Sequence, residues 1–282
     1  MTAAVRRVGA AAAWRARALR ASIVYFNVRF SAWWACRRHL REYRRLDEDE
    51  LRRTRRSDTV FILGSGYSLN WLMPDEWSRI DSHDTIGFNW SVHEQFVRCD
   101  YHLVREICAD VRDRAVWEPA TREYFRLASG NPCYSQTIYL VQSGFRATSG
   151  NRAIGLRLLP RDRPVFLWRS LVNQRLPSGS LRRGLAHAYG TLSDCVNFAA
   201  LMGWTTIVLV GVDLYDRRYF WLPADQPRSG DATVDEPHAT AAGGMVEGMG
   251  TWREYLAQRD VRLFVYNPDS LLAGVLPVWN WT

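Results

Sequence analysis

Lysine is absent from this chain: all 37 basic residues among its 282 are arginine, which reads as coding bias rather than chemistry. A long apolar run is missing too. The longest candidate, Ala21–Cys36, covers 16 residues and is interrupted by Asn27 and Arg29, short of the ~20 that a membrane-spanning helix needs. An export signal is poorly supported, because the apolar stretch after Arg6-Arg7 ends at once in Trp14-Arg15. The five cysteines (Cys36, Cys99, Cys108, Cys133 and Cys195) contain no C-x-x-C pair, and their odd count leaves one unpaired. That argues against a metal cluster and leads us to expect reduced thiols and a cytoplasmic location. No internal repeat is present.

Charge is concentrated at one end. Residues 1–58 hold 15 arginines against six acidic residues, a balance of +9, and the remaining 224 residues sum to −1. A basic arm on a neutral body argues against a nucleic-acid-binding core. Within the arm, Leu19, Ile23, Phe26, Phe30 and Trp33 recur at helical spacing, and arginines flank them. That pattern predicts a basic amphipathic helix that binds an anionic membrane surface through residues 15–45. The alternative is packing on the main domain or on a partner, including a homo-oligomer. Asp47–Asp58 is expected to be a charged hinge, dividing residues 1–57 from a domain at 58–282.

The body reads as alternating strands and helices. Thr205–Tyr215 is a β-branched apolar run too uniform to alternate faces, which predicts a strand buried on both sides. A helix from Thr191, opened by Gly190 and closed by Gly203, precedes it. Further strands are expected at 58–63, 85–88, 101–104, 138–141, 165–168 and 262–266, with a helix from Ser68 to Ile80 that Ser68 caps. The fold class predicted is α/β, with a doubly wound, mainly parallel, Rossmann-like sheet.

Gly64-Ser65-Gly66 lies between a strand and a helix, where tight backbone and free N–H groups suit phosphate or ribose oxygens. A dinucleotide fold would want glycine at 69 and an acid closing the second strand; the chain has Leu69 and Asn89. Asp213 stands at the carboxyl end of the long strand, where open α/β sheets hold ligands. His238 sits in a Gly/Ala/Pro/Asp-rich stretch at about 222–244, long enough to be an active-site lid.

Three segments in order carry a resemblance: Gly64–Leu69, Gly203–Tyr219 and Asn267–Ala273. Together they resemble the bacterial lipooligosaccharide sialyltransferases, glycosyltransferase family 42, and related nonulosonate-transferase-like polysaccharide biosynthesis proteins. The resemblance spans roughly residues 59–278 and is patchy. It implies a CMP-sugar donor, a glycan or glycolipid acceptor, and no cofactor. It places Asn89 against the cytidine nucleotide, Thr191 near the donor sugar, and Tyr215 and Tyr219 on the leaving phosphate, with His238 as general base. Gly64, Ser65, Gly66, Ser68, Glu106, Gly190, Asp213, Asn267 and Ser270 complete the expected donor site. Two positions depart from the family: Arg105-Glu106 replaces an Asn-Pro-Ser, and Ala188 or Tyr189 replaces an arginine.

Bottom-up chemistry agrees with a phenol-held leaving group. Glycosyl transfer builds negative charge on the departing phosphate, and fixed donors stabilise it. Many glycosyltransferases hold a metal with Asp-x-Asp, but here that triplet is Asp47-Glu48-Asp49, outside the domain. No metal site is therefore expected. Two rivals stay open: a pterin-type diphosphokinase using ATP and Mg²⁺, and a non-catalytic nucleotide-sugar-binding subunit.

Overall fold

The computed structural model describes residues 3–105, 107, 112–172, 174–228 and 231–281. Apolar β-branched runs become strands: β1 (Thr59–Leu63), β2 (Asp84–Phe88), β3 (Tyr101–Val104), β4 (Ile138–Gln142), β5 (Val165–Trp168), β6 (Ser170–Val172), β7 (Leu185–His187), β8 (Thr206–Val210) and β9 (Arg262–Val265). The helices are α1 (Ala3–His39), α2 (Glu48–Arg52), α3 (Pro74–Asp81), α4 (Arg114–Gly130), α5 (Thr148–Gly155), α6 (Thr191–Met202), α7 (Ala239–Ala242) and α8 (Met245–Ala257).

Seven strands form one sheet in the order β5-β4-β3-β2-β1-β8-β9, with every recorded pairing parallel. Helix-covered strands lose both faces to the core, and Val60–Leu63 and Ile207–Val210 are wholly inaccessible. The chain winds outward from β1 to β5, then returns to the other side of β1 as β8. That reversal opens a crevice beyond the carboxyl ends of β1 and β8, the place where doubly wound sheets bind ligands. The doubly wound α/β expectation therefore holds. A short parallel pair, β6 with β7, was not foreseen.

Two local expectations change. The helix expected from Ser68 to Ile80 is divided into a 3₁₀ turn at Tyr67–Trp71 and α3. Pro74 is the cause: it has no N–H to continue a helix and pushes Met73 to extended backbone (φ −78°, ψ 156°). Ser68 is not a cap, since its hydroxyl is spent on Asp213. The expected hinge is packed rather than loose. Asp47 and Glu50 form a reciprocal capping box on α2, Leu51 is fully buried, and residues 44–46 pair with the edge of β5.

Helix α1 has two apolar faces. One, including Ala32 and Cys36, docks on α5, where a Cβ on Gly155 would lie 2.8 Å from the Ala35 Cβ. The other, the face recognised in the sequence, stays largely uncovered: Leu19, Ile23, Phe26 and Phe30 are exposed, Trp33 is half-buried, and the neighbouring Trp34 is exposed. Among the described residues, no helix is long and apolar enough to cross a membrane.

Beneath the sheet, His102 on β3 is fully buried and bonds Tyr124 and, at 3.2 Å, Tyr134. Burial pushes its pKa down to about 3, so the folded state holds a neutral ring while the unfolded chain takes up a proton below ~6.5. Stability should therefore fall as the pH drops, by ~2 kcal/mol between pH 7 and pH 5 from this ring. Urea midpoints across that range should lose this component of the slope in His102→Gln.

Candidate active site

A cavity of about 320 Å³ occupies the crevice at the β1/β8 reversal. Its floor is two crossing turns. Gly64 N–H donates to the Val210 carbonyl and Gly66 N–H to the Gly211 carbonyl, both at 2.7 Å. The contact is tight enough to require glycine: a Cβ on Gly64 would stand 2.3 Å from the Gly211 oxygen. Gly211 itself turns through φ +64°, the left-handed region that favours glycine.

Asp213 fastens this floor. Its Oδ2 accepts from Ser68 N–H at 2.9 Å, and its Oδ1 accepts from the Ser68 hydroxyl at 2.5 Å and Asn267 Nδ2 at 2.9 Å. Ser270 Oγ donates to the Val212 carbonyl at 2.6 Å and caps the following turn at Leu272. Asp213 still reaches the cavity wall, whereas Ser68, Asn267 and Ser270 lie behind it. Those three were expected to bind donor; their polar atoms instead hold the turn that does the lining.

The remaining expected residues divide likewise. Gly64, Ser65, Gly66, Asn89, Thr191, Tyr219 and His238 line the cavity. Asn89 follows β2 with φ +51°, a conformation asparagine tolerates better than most residues. Its Oδ1 is buried without a hydrogen-bond partner. Thr191 opens α6 after Gly190 (φ +129°), so that helix points its amino end at the cavity; Gly190 supports the turn and does not line. Tyr219 pairs with Gly66 in an isolated antiparallel bridge. Tyr215 stands outside the lining; burial, then Asp213, pushes its pKa up, while the nearby Asn267 amide and Arg218 draw it down. Glu106 lies outside the described residues.

His238 reaches the cavity at the start of a short helix. It is the N-cap of α7, with Nδ1 accepting from Thr240 N–H at 3.2 Å. A backbone N–H can only donate, so the neutral ring carries its proton on Nε2. Burial and then the nearby Arg217 and Arg228 push its pKa down, against Asp231. The Thr240 hydroxyl lies closer still to Nδ1, at 2.7 Å. Leu214 takes φ +67°, and its carbonyl accepts His238 N–H at 3.0 Å; the strained turn positions the histidine.

Sequence reasoning missed the cationic wall. Arg217, Arg218 and Arg228 all line the cavity. Arg218 pairs with Asp216 at 2.5 Å and Arg217 with Glu236 at 2.9 Å. Arg228 has no carboxylate partner among the described residues; its guanidinium sits 5.5 Å from the Trp90 ring centroid and 5.7 Å from that of Tyr219. A lid arginine carries no periodicity, so only the fold brings it here. Among the described residues, no cluster of His, Cys, Asp or Glu side chains is arranged to hold a metal ion.

No protein-family model matches the chain, and no curated protein matches it. Among solved structures, one match is the MAf glycosyltransferase from Magnetospirillum magneticum AMB-1, at 16% identity and a TM-score of 0.43. The alignment covers 74% of this chain and 31% of that one, so the chain spans about a third of that protein's length. So distant a likeness carries no argument about chemistry, and the functional reading rests on the site.

Proposed function

We propose that the chain is a metal-independent, inverting glycosyltransferase that moves a nonulosonic acid from a CMP-sugar to a glycan or glycolipid acceptor in surface polysaccharide synthesis. The observation that carries this reading is the convergence of Tyr219, Arg228 and His238 on one cavity beside the glycine turn. Each offers a hydrogen-bond donor and none is a carboxylate. Such a set matches a group that gains negative charge as a bond breaks. The α6 amino end adds a positive partial charge suited to the donor's carboxylate or phosphate. The Asn89 amide, with its unpaired carbonyl, can meet the exocyclic amine of cytosine. The sialyltransferase-like order of motifs supports the same donor class.

Tyr219 and His238 Nε2–H would then hold the leaving phosphate, with Arg228 neutralising it. Tyr215 supports the turn between them. Arginine on the wall takes over the role that a divalent cation has in many transferases. Transfer from a CMP-sugar should accordingly persist in excess EDTA. Loss that Mn²⁺ or Mg²⁺ restores would show that a metal holds the phosphate.

The uncovered face of α1 fits attachment to the anionic inner face of the cytoplasmic membrane, where a glycolipid acceptor resides. Phe26 and Phe30 stack at 6.0 Å, and Phe145 from the body extends the patch, 5.5 Å from Phe26. Arg37 and Arg38 lie over Trp33 and Trp34. Apolar rings flanked by cations complement acyl chains beneath anionic headgroups.

A further inference from the structure

Arg105, His187 and Asp194 form a buried cluster that the leaving-group machinery does not use. Arg105 follows β3, His187 ends β7, and Asp194 lies in the first turn of α6. Asp194 Oδ2 accepts from Arg105 Nη1 at 2.9 Å and from His187 Nδ1 at 2.8 Å. Its side chain is wholly inaccessible, that of Arg105 is 6% exposed, and that of His187 is 21% exposed. Arg105 also donates to Ser170 Oγ at 3.2 Å.

Placing charge in such a dry site is costly unless it is paired. Burial pushes the Asp194 carboxyl up, while His187 and Arg105 pull it down. An arginine-paired carboxylate only accepts hydrogen bonds, so the proton of the neutral ring sits on His187 Nδ1 and the lone pair on Nε2. Nε2 has no partner among the described residues. This is the reverse of His238, whose Nδ1 is the occupied acceptor.

Asp194 lies one turn beyond Thr191 on α6, and Arg105 two residues before Ile107; Thr191 and Ile107 both line the cavity. The cluster therefore stands at the carboxyl end of the sheet, beside the donor site.

We propose that His187, oriented by Asp194, takes the proton of the acceptor hydroxyl; this rests on the glycosyltransferase reading. The acceptor O–H proton moves to His187 Nε2 as the oxygen bonds the anomeric carbon. The bond from that carbon to the phosphate oxygen breaks, and its electron pair leaves on the phosphate held by Tyr219, Arg228 and His238. The ring then passes its proton to solvent. Asp194 is a positioning residue: it fixes the tautomer and supports the imidazolium that forms.

The test uses the full chain, with nitrogen-15 NMR of the histidine rings and transfer kinetics from CMP-sugar and other nucleotide-sugar donors. His187 should carry its ring proton on Nδ1. His187→Gln should lower kcat by about 10²–10⁴-fold with donor KM unchanged. The charged groups recorded against the ring are Asp194 and, behind it, Arg105. In Asp194→Asn, Arg105 claims the amide oxygen, so the amide N–H faces Nδ1. The His187 proton should move to Nε2 and kcat should fall with it. A His187 ring protonated on Nε2 in the wild type, or a folded His187→Gln with wild-type kcat, overturns the proposal. If Asp194→Asn does not fold, the His187→Gln kinetics still decide. A wild-type chain that turns over no nucleotide-sugar overturns the transfer reading itself, and the step with it.

Discussion

Gly66→Ala should abolish donor binding and lower the melting temperature of the chain. A Cβ at residue 66 would lie 2.3 Å from Asp213 Oδ2 and 2.9 Å from the Gly211 carbonyl oxygen. Neither atom can yield cheaply. The carboxylate is fixed by Ser68 and Asn267, and the carbonyl accepts the Gly66 N–H itself. Overpacking of this kind costs ~1–3 kcal/mol before any hydrogen bond is lost, and each broken bond to a charged group adds ~1.5–3 kcal/mol. The turn also sets the position of Tyr219 through their bridge, and an ångström of displacement can cost roughly 100-fold at such a site. Melting curves and CMP titrations of Gly66→Ala, beside Gly130→Ala as control, would measure both effects. A Cβ on Gly130 meets nothing within 4 Å, so that variant should behave as wild type. Wild-type affinity in Gly66→Ala would mean the glycine turn does not bound the ligand.

The second large effect concerns α1. Phe26→Asp with Phe30→Asp should weaken binding to anionic vesicles by about 10²–10⁴-fold, since burying each ring is worth ~1.5–3 kcal/mol. The fold should hold, because these rings are 56% and 46% exposed. Wild-type binding should also fall as salt rises, because the arginines act through a screened field. Co-sedimentation with vesicles of mixed neutral and anionic phospholipid reads both dependences. Unchanged sedimentation of the double variant would assign that face to something other than lipid.

Much of the sheet was legible in the sequence because strands buried on both faces leave unbroken apolar runs, as at Val60–Leu63 and Ile207–Val210. The glycine turn was legible for a related reason: no side chain fits where β1 and β8 exchange hydrogen bonds. Helix α1 was harder. Its docked face is built from small residues such as Ala32 and Ala35, so the louder aromatic face drew attention although it is the uncovered one. The cationic wall was not legible at all, since Arg217 lies in the irregular segment after β8 and Arg228 in an aperiodic lid, and Arg228 gains meaning only beside Trp90 and Tyr219. His238 was located correctly on the cavity. Its tautomer depends on capping α7 through Thr240, a geometry no motif encodes. The His187–Asp194 pair needed β3, β7 and α6 to be brought together before either residue stood out.

Transfer by the full chain from a CMP-nonulosonate in excess EDTA tests the central claim most directly. The account predicts transfer of the sugar to a glycan or glycolipid acceptor, release of CMP, and stabilisation by CMP without added metal. A chain stabilised only by ATP with Mg²⁺, and moving pyrophosphate rather than sugar, would contradict it.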